Sequence, residues 1–285
     1  MKLQHSAYSI ICLIVITILS TACQSGQTSL PGRLKLAGST TIEPAARAVA
    51  EDFMRQFPDV EISVRGGGST YGIKGIAYGG LHIAMTSREL QDSELEKWPT
   101  LTATPVGHDG VAVVVSRTLY DQGVTQLTLE EVMGIWRGEI TNWQELGGPD
   151  LPVWAYDRGA DSGTQATFIE IALSGEAEPS SGIASTIVDS EDVISVVTQQ
   201  PGAVSILSAG LQANDVVGLA IVAEDGQAVV PSAENVGTGH YPIVRNLNLI
   251  TAGPPQGLAA QFVTFMLSPQ GQNFVESGGF SRVVQ

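Results

Sequence analysis

Apolar positions in this chain follow two rhythms in turn. Residues 34–37 (Leu-Lys-Leu-Ala) have the look of a strand, and from Ile42 onward Ala45, Ala46, Val49, Phe53 and Phe57 recur at helical spacing. Pro44 falls in the first turn of that helix and Pro58 stops it. Residues 60–64 alternate as a strand, the turn Gly66-Gly67-Gly68-Ser69-Thr70 follows, and a helix is expected over about 71–77. Ile83-Ala84-Met85 reads as a third short strand. Repeated strand–turn–helix order predicts an α/β fold with a largely parallel sheet.

The same reading extends to the C-terminus. Residues 111–115 form an unbroken apolar run, the mark of a strand covered on both faces. Thr128-Leu129-Glu130-Glu131 opens a helix as a capping box. Residues 152–156 predict a strand and 164–173 the helix behind it. Strands are expected at 202–206 and 216–220, an extended segment at 241–251, a helix at 256–267, and a last helix from Pro269. No internal repeat or low-complexity block interrupts this order.

Residues 1–23 stand apart. Lys2, an apolar stretch over 9–19 and the small residues Ser20-Thr21-Ala22 before Cys23 have the architecture of an export signal. The stretch is short for a membrane span. The small-small-Cys ending resembles a bacterial lipobox, although Ser20 stands where Leu is usual. Cys23 is therefore the expected lipidated first mature residue, with ordinary cleavage after Ala22 as the alternative. Residues 24–32 would be a polar tether. Cys12 and Cys23 are the only cysteines, so the mature chain has no internal disulfide and its core must hold it. The formal net charge of −15 argues against nucleic acid and anionic lipid as partners. It does not exclude a buried anion, because salt screens a distant acidic surface.

Two segments carry the candidate chemistry. Gly38-Ser39-Thr40-Thr41, joined by Gly66-Gly67-Gly68-Ser69, places glycines and hydroxyls between strand and helix. Arg158-Gly159-Ala160-Asp161-Ser162-Gly163-Thr164 does the same and adds a forked cationic donor at a strand end. Helix starts carry unpaired N–H groups and partial positive charge, so several meeting at one point with one arginine would cage a small tetrahedral anion. No Gly-x-Ser-x-Gly elbow, Walker lysine or metal-spaced histidine pair is present, which disfavours a hydrolase and predicts neither catalysis, metal nor cofactor.

Taken together, these segments resemble the phosphate-binding proteins of bacterial phosphate ABC importers, the PstS-like family. The likeness also takes in Met85-Thr86-Ser87-Arg88-Glu89, His108-Asp109-Gly110-Val111-Ala112-Val113, Leu129-Glu130-Glu131-Val132, Ile140-Thr141-Asn142-Trp143, Tyr241-Pro242-Ile243-Val244-Arg245 and Ser268-Pro269-Gln270-Gly271-Gln272. The resemblance implies a type II periplasmic-binding-protein fold of two domains, residues 33–106 plus 246–285 and residues 107–245. Two crossing hinge strands near 103–115 and 241–251 would leave the ligand cleft between the domains. It implies a receptor that hands inorganic phosphate to an ABC permease. The signal over 1–23 predicts that it works outside the cytoplasm, anchored through Cys23 or free if not lipidated, and the lack of a heptad or large apolar stripe makes a monomer the expectation. Ser39, Thr40 and Ser69 would donate from the first domain, and Arg158, Ser162, Gly163 and Thr164 from the second. Family members carry an Asp before the Ile-Gly-Met-x-Ser-Arg stretch, and this chain has His82 there. A neutral imidazole there would accept the proton of phosphate and a charged one would not, which predicts pH-dependent selectivity. The alternatives are that Asp161 supplies the acceptor or that His82 points away. Other readings are a different tetrahedral oxyanion, such as sulfate or arsenate, or a phosphate sensor not coupled to transport.

Overall fold

The computed structural model describes residues 32–175, 183–211, 213–223 and 225–283. The expected export signal and the lipidation site Cys23 lie outside the described residues, as does the tether apart from Gly32. Gly32 is the first residue of strand β1 (Gly32–Gly38) rather than the end of a linker.

The first part of the chain runs β1, α1 (Glu43–Gln56), β2 (Val60–Gly67), α2 (Ser69–Ala77), β3 (Ile83–Thr86) and α3 (Asp92–Lys97). A long strand follows, β4 (Leu101–Ser116), then α4 (Arg117–Asp121), β5 (Gln126–Thr128), α5 (Leu129–Trp136), β6 (Trp154–Arg158), α6 (Gly163–Ala172), β7 (Ile183–Ile187), α7 (Ser190–Gln199) and β8 (Ala203–Ser208). Three short strands, β9 (Val216–Gly218), β10 (Ala220–Val222) and β11 (Ala228–Val229), lead to α8 (Ala233–Gly237). The chain closes with β12 (Val244–Ala252), α9 (Gly257–Leu267) and α10 (Pro269–Ser277). The expected strand at 216–220 is thus two strands separated at Leu219, and β7 and α7 were not anticipated.

Among the described residues the main sheet has the order β2-β1-β3-β12-β4-β8-β6-β7, with β9 also paired to β4. β1 pairs in parallel with β2 and β3, and β6 with β7 and β8. These are two parallel α/β halves of the kind the pattern predicted. Antiparallel β4 and β12 lie between them and pair along their length, from Val244↔Gly110 to Ala252↔Leu101. These are the two crossing strands of the two-domain arrangement.

The apolar run on β4 is buried from both sides. Val111, Val113 and Val115 pack in one cluster with Leu127, Trp136, Phe168 and Tyr241. Ala112 and Val114, pointing the other way, pack with Ile187, Val193, Val197 and Leu207. A period of two with apolar residues on both faces is what a covered strand requires. In the first half, Phe53 of α1 meets Phe262 and Phe265 of α9 edge-on, with ring centroids 5.8 and 5.3 Å apart. Thr128 and Glu131 form the capping box read from the sequence.

Glu94 on α3 lies in an acidic stretch, Glu94-Leu95-Glu96, that reads in the sequence as a solvated helix face, yet it is buried and binds Arg88 through both oxygens at 2.7 and 2.8 Å. Burial raises its pKa, but the hydrogen bonds from Arg88 and from the Gln91 N–H, with the charges of Arg88 and Lys74, outweigh that and hold it below the usual carboxylate range. A depressed native pKa contributes stability that is present above the unfolded value and lost as pH falls through the native one. Glu94→Gln is therefore expected to cost about 3 kcal/mol at neutral pH, as breaking a buried pair does. It should also flatten the acid limb of a plot of Tm against pH. An acid limb identical to that of wild type would assign the acid sensitivity to other carboxylates.

Candidate functional site

Two glycine-hydroxyl turns meet across the middle of the sheet. The turn after β1 brings Ser39, Thr40 and Thr41 to the start of α1, and the turn after β2 brings Gly68 to the start of α2. Gly67 and Gly68 have φ of +117° and +92°, a region open to glycine and strained for other residues. Gly66 instead leaves room for Thr40 and Glu43, whose atoms a Cβ would meet at 2.9 and 2.6 Å. From the other side, β6 ends at Arg158, and Ser162 caps α6 by accepting from the Gln165 N–H at 3.3 Å.

Between them lies a small closed cavity. Ser39, Thr40, Thr41, Gly68 and Ser87 line it from the first half, and Arg158, Ser162, Gly163, Thr164 and Val188 from the second. The space open to the centre of a water molecule is about 10 Å³, room for about one water-sized group and far too little for a sugar or peptide. Backbone and side chains also bond directly between the two halves. The Thr70 N–H donates to the Asp161 carbonyl at 3.1 Å, and the Thr40 and Ser190 hydroxyls lie 3.0 Å apart.

Arg158 is buried, and its guanidinium donates to the carbonyls of Ile187 (3.3 Å) and Val188 (2.8 Å) and to the hydroxyls of Ser190 (3.2 Å) and Thr40 (3.4 Å). Among the described residues no carboxylate pairs with it. Burial, and then the charge of Arg245, push its pKa down to about 10, while Asp189 and Asp192 oppose this through space. It still carries its charge at neutral pH. The surrounding hydroxyls are linked to the backbone and to one another. Ser39 Oγ accepts from the Thr41 N–H (3.2 Å) and donates to Ser87 Oγ (2.9 Å). Ser69 Oγ accepts from the Ser87 N–H (3.1 Å), and Ser162 Oγ caps α6. The oxygens of Ser69 and Ser162 are thus engaged by protein N–H groups, which leaves their protons to other acceptors, whereas that of Ser39 goes to Ser87. With the helix starts beside them, these groups make a cavity rich in donors around one unpaired cation, with no carboxylate on its wall.

Of the residues singled out in the sequence, Ser39, Thr40, Arg158, Ser162, Gly163 and Thr164 line the cavity. Ser69 stands one layer behind, fully buried against Ser87. His82 is not brought to the cavity. It is exposed on the edge of the first half, where its Nδ1 accepts from the Lys35 N–H at 3.0 Å. Its side chain leaves from the start of β3, whereas the cavity lies past the strand's other end, at Ser87. The structure therefore favours the alternative in which His82 points away. Thr41, Ser87 and Ser190 were missed as site residues. Ser87 sat within a quoted motif, and its only signal was its place after a buried strand. A larger groove of about 890 Å³ opens between α1 and α7, beyond Thr40 and Val188. Its walls carry Glu43, Glu51, Asp189, Glu191 and Asp192, so it repels the anion that the inner cavity suits. Among the described residues no cluster of His, Cys, Asp or Glu is arranged to hold a metal, and no helix is long and apolar enough to cross a membrane.

Two α/β halves joined by crossing strands, closing donors over an unpaired arginine, define a solute-binding protein of the periplasmic kind. The PBP superfamily domain matches residues 25–270. The phosphate-binding protein PstS of Bacillus subtilis (strain 168) is 35% identical over 244 residues, spanning 85% of this chain and 78% of the relative. A solved structure of a Clostridium perfringens protein with bound phosphate superposes with a TM-score of 0.81 at 30% identity, covering 89% of this chain and 100% of that one. An ABC-type phosphate transport receptor from Vibrio cholerae has a TM-score of 0.70 at 27% identity, over 88% and 100%. The chain belongs to the PBP superfamily and, within it, to the PstS-like phosphate-binding proteins.

Proposed function

We propose that this protein captures inorganic phosphate outside the cytoplasm and delivers it to an ABC-type importer. The observation that carries this is the cavity itself, in which a buried Arg158 with no carboxylate partner among the described residues and hydroxyls from both halves surround space for one small group. Thr40, Thr41, Ser162, Gly163 and Thr164 donate to the anion beside Arg158, Ser39 joins them by turning its hydroxyl from Ser87 to the ligand, and Ser69 holds Ser87 in place. The moving bodies are residues 33–106 with 246–285 and residues 107–245, hinged where β4 and β12 cross. The protein acts as a monomeric receptor and not as an enzyme, tethered through a lipid on Cys23 and docking on permease subunits.

A second reading, a receptor for another tetrahedral oxyanion, draws on the lack of a carboxylate among the lining residues. With His82 turned away, the proton of phosphate is accepted by a hydroxyl oxygen on the cavity wall, Ser87 Oγ being one candidate. A hydroxyl can accept that bond or donate to a fully ionised oxygen. Calorimetric titration of residues 24–285, stripped of carried-over phosphate, separates the two readings at alkaline pH. Tight phosphate binding with sulfate silent is the expected result. Sulfate binding as well or better would replace the ligand named here.

A further inference from the structure

Arg245 on β12 lies directly opposite Asp109 on β4, at the crossing of the two hinge strands. The pair is almost wholly buried, with 2% and 1% of the side chains exposed. Nε and Nη2 both donate to Asp109 Oδ2, at 3.0 and 2.6 Å, and Asp109 Oδ1 accepts from Ser208 Oγ at 2.8 Å. The guanidinium also reaches past its carboxylate. Nη1 donates to Thr164 Oγ1 at 2.8 Å, and Nη2 to Thr41 Oγ1 at 3.3 Å. These threonines belong to opposite halves, one in the turn into α1 and one in the first turn of α6. Their hydroxyls lie 3.3 Å apart, and both residues line the anion cavity.

We propose that Arg245 is a positioning residue for anion capture, which ties the hinge to the cavity by holding Thr41 and Thr164 together in the closed form. This rests on the phosphate-binding reading above. Each threonine oxygen accepts from the guanidinium, so its proton points elsewhere. One proton serves the contact between the two hydroxyls, and the other faces the anion. Asp109 balances the charge of Arg245, so the contribution is orientation rather than attraction at a distance. The planar fork serves Asp109, Thr41 and Thr164 from one rigid group, a geometry a lysine ammonium cannot reproduce. The two threonines meet only when the halves close, so the contact favours the form that retains the ligand.

The test is phosphate association and release, followed by stopped flow on residues 24–285. The variants are Arg245→Lys, Thr164→Val, their combination, and the double exchange Asp109→Asn with Arg245→Gln. The double exchange keeps the shapes while leaving no buried charge alone. Wild type is expected to bind phosphate. Arg245→Lys and the double exchange should release it roughly 10- to 100-fold faster, the usual size of a coupling between sites, with association little changed. Thr164→Val should have a much smaller effect in the Arg245→Lys background than in wild type. Variants that melt earlier but release phosphate at the wild-type rate would overturn the proposal, as would additive effects of Arg245→Lys and Thr164→Val. A wild-type protein that binds no phosphate would instead overturn the ligand assignment on which the proposal rests.

Discussion

Arg158→Met is expected to abolish tight phosphate binding while leaving the ligand-free protein at least as stable as wild type. The two effects have one cause. Arg158 is a buried cation without a carboxylate partner, held by two carbonyls and two hydroxyls. Desolvating an unpaired charge costs several kcal/mol, and these dipoles offset only part of that. Its lowered pKa, about 10, reports the same penalty. An anion in the cavity supplies the missing counter-charge, so the arginine's full benefit appears only in the complex. Removing one partner of a buried, hydrogen-bonded charge pair costs about 2–5 kcal/mol of binding. The loss of affinity should therefore exceed roughly 30-fold and reach thousands. Thermal scans with and without phosphate read both effects together. At phosphate a thousandfold above the wild-type Kd, wild type should gain about 4 kcal/mol of stability and the variant from about 2 kcal/mol down to almost nothing. A variant that keeps wild-type affinity would remove Arg158 from the site.

Gly163→Ala should be nearly as damaging to binding by a different route. A Cβ on Gly163 would lie 2.3 Å from Ser69 Oγ and 2.6 Å from Ser87 Oγ, with the Ser87 carbonyl carbon at 3.1 Å. Neither serine yields easily, since Ser69 accepts from the Ser87 backbone N–H and Ser87 from the Ser39 hydroxyl. The methyl therefore props the two halves apart. The backbone of Gly163 is ordinary helix, and alanine is a better helix former than glycine. The second half should fold as well as before or better. Phosphate affinity is expected to fall at least about 100-fold, or 2.7 kcal/mol, with the unfolding midpoint of the ligand-free protein unchanged or raised. Binding within a few-fold of wild type would mean that the halves do not approach this closely in the complex.

Most of the strands and helices were legible because burial leaves a local trace, and the short or half-exposed β5, β7 and β11 were not. The apolar run at 111–115 and the alternation at 60–64 need no long-range information. The glycine-hydroxyl turns were legible because few local structures require them. What stayed hidden depended on partners far along the chain. Glu94 looks like any acid on a polar helix until Arg88 folds onto it. Arg245 lies in a segment singled out in the sequence, but its role comes from standing opposite Asp109, 136 residues away. α7 was missed although Val193 and Val197 have helical spacing, and with it the Ser190 hydroxyl that steadies Arg158. His82 was judged by its place in a motif, whereas the strand's direction decides where its side chain goes.

The last strand of the chain fills the centre of its sheet. β12 lies between β3 and β4 and joins two segments made more than a hundred residues earlier. A nascent chain that ends before residue 244 lacks this strand, so β3 and β4 cannot be bridged. Pairing between distant segments is also the slow step of folding. The main sheet therefore cannot close across its centre until almost the whole length of the chain exists. For any chain exported unfolded, such an order of events would keep the passage open. The sheet is completed only when the C-terminal strand pairs with both β3 and β4.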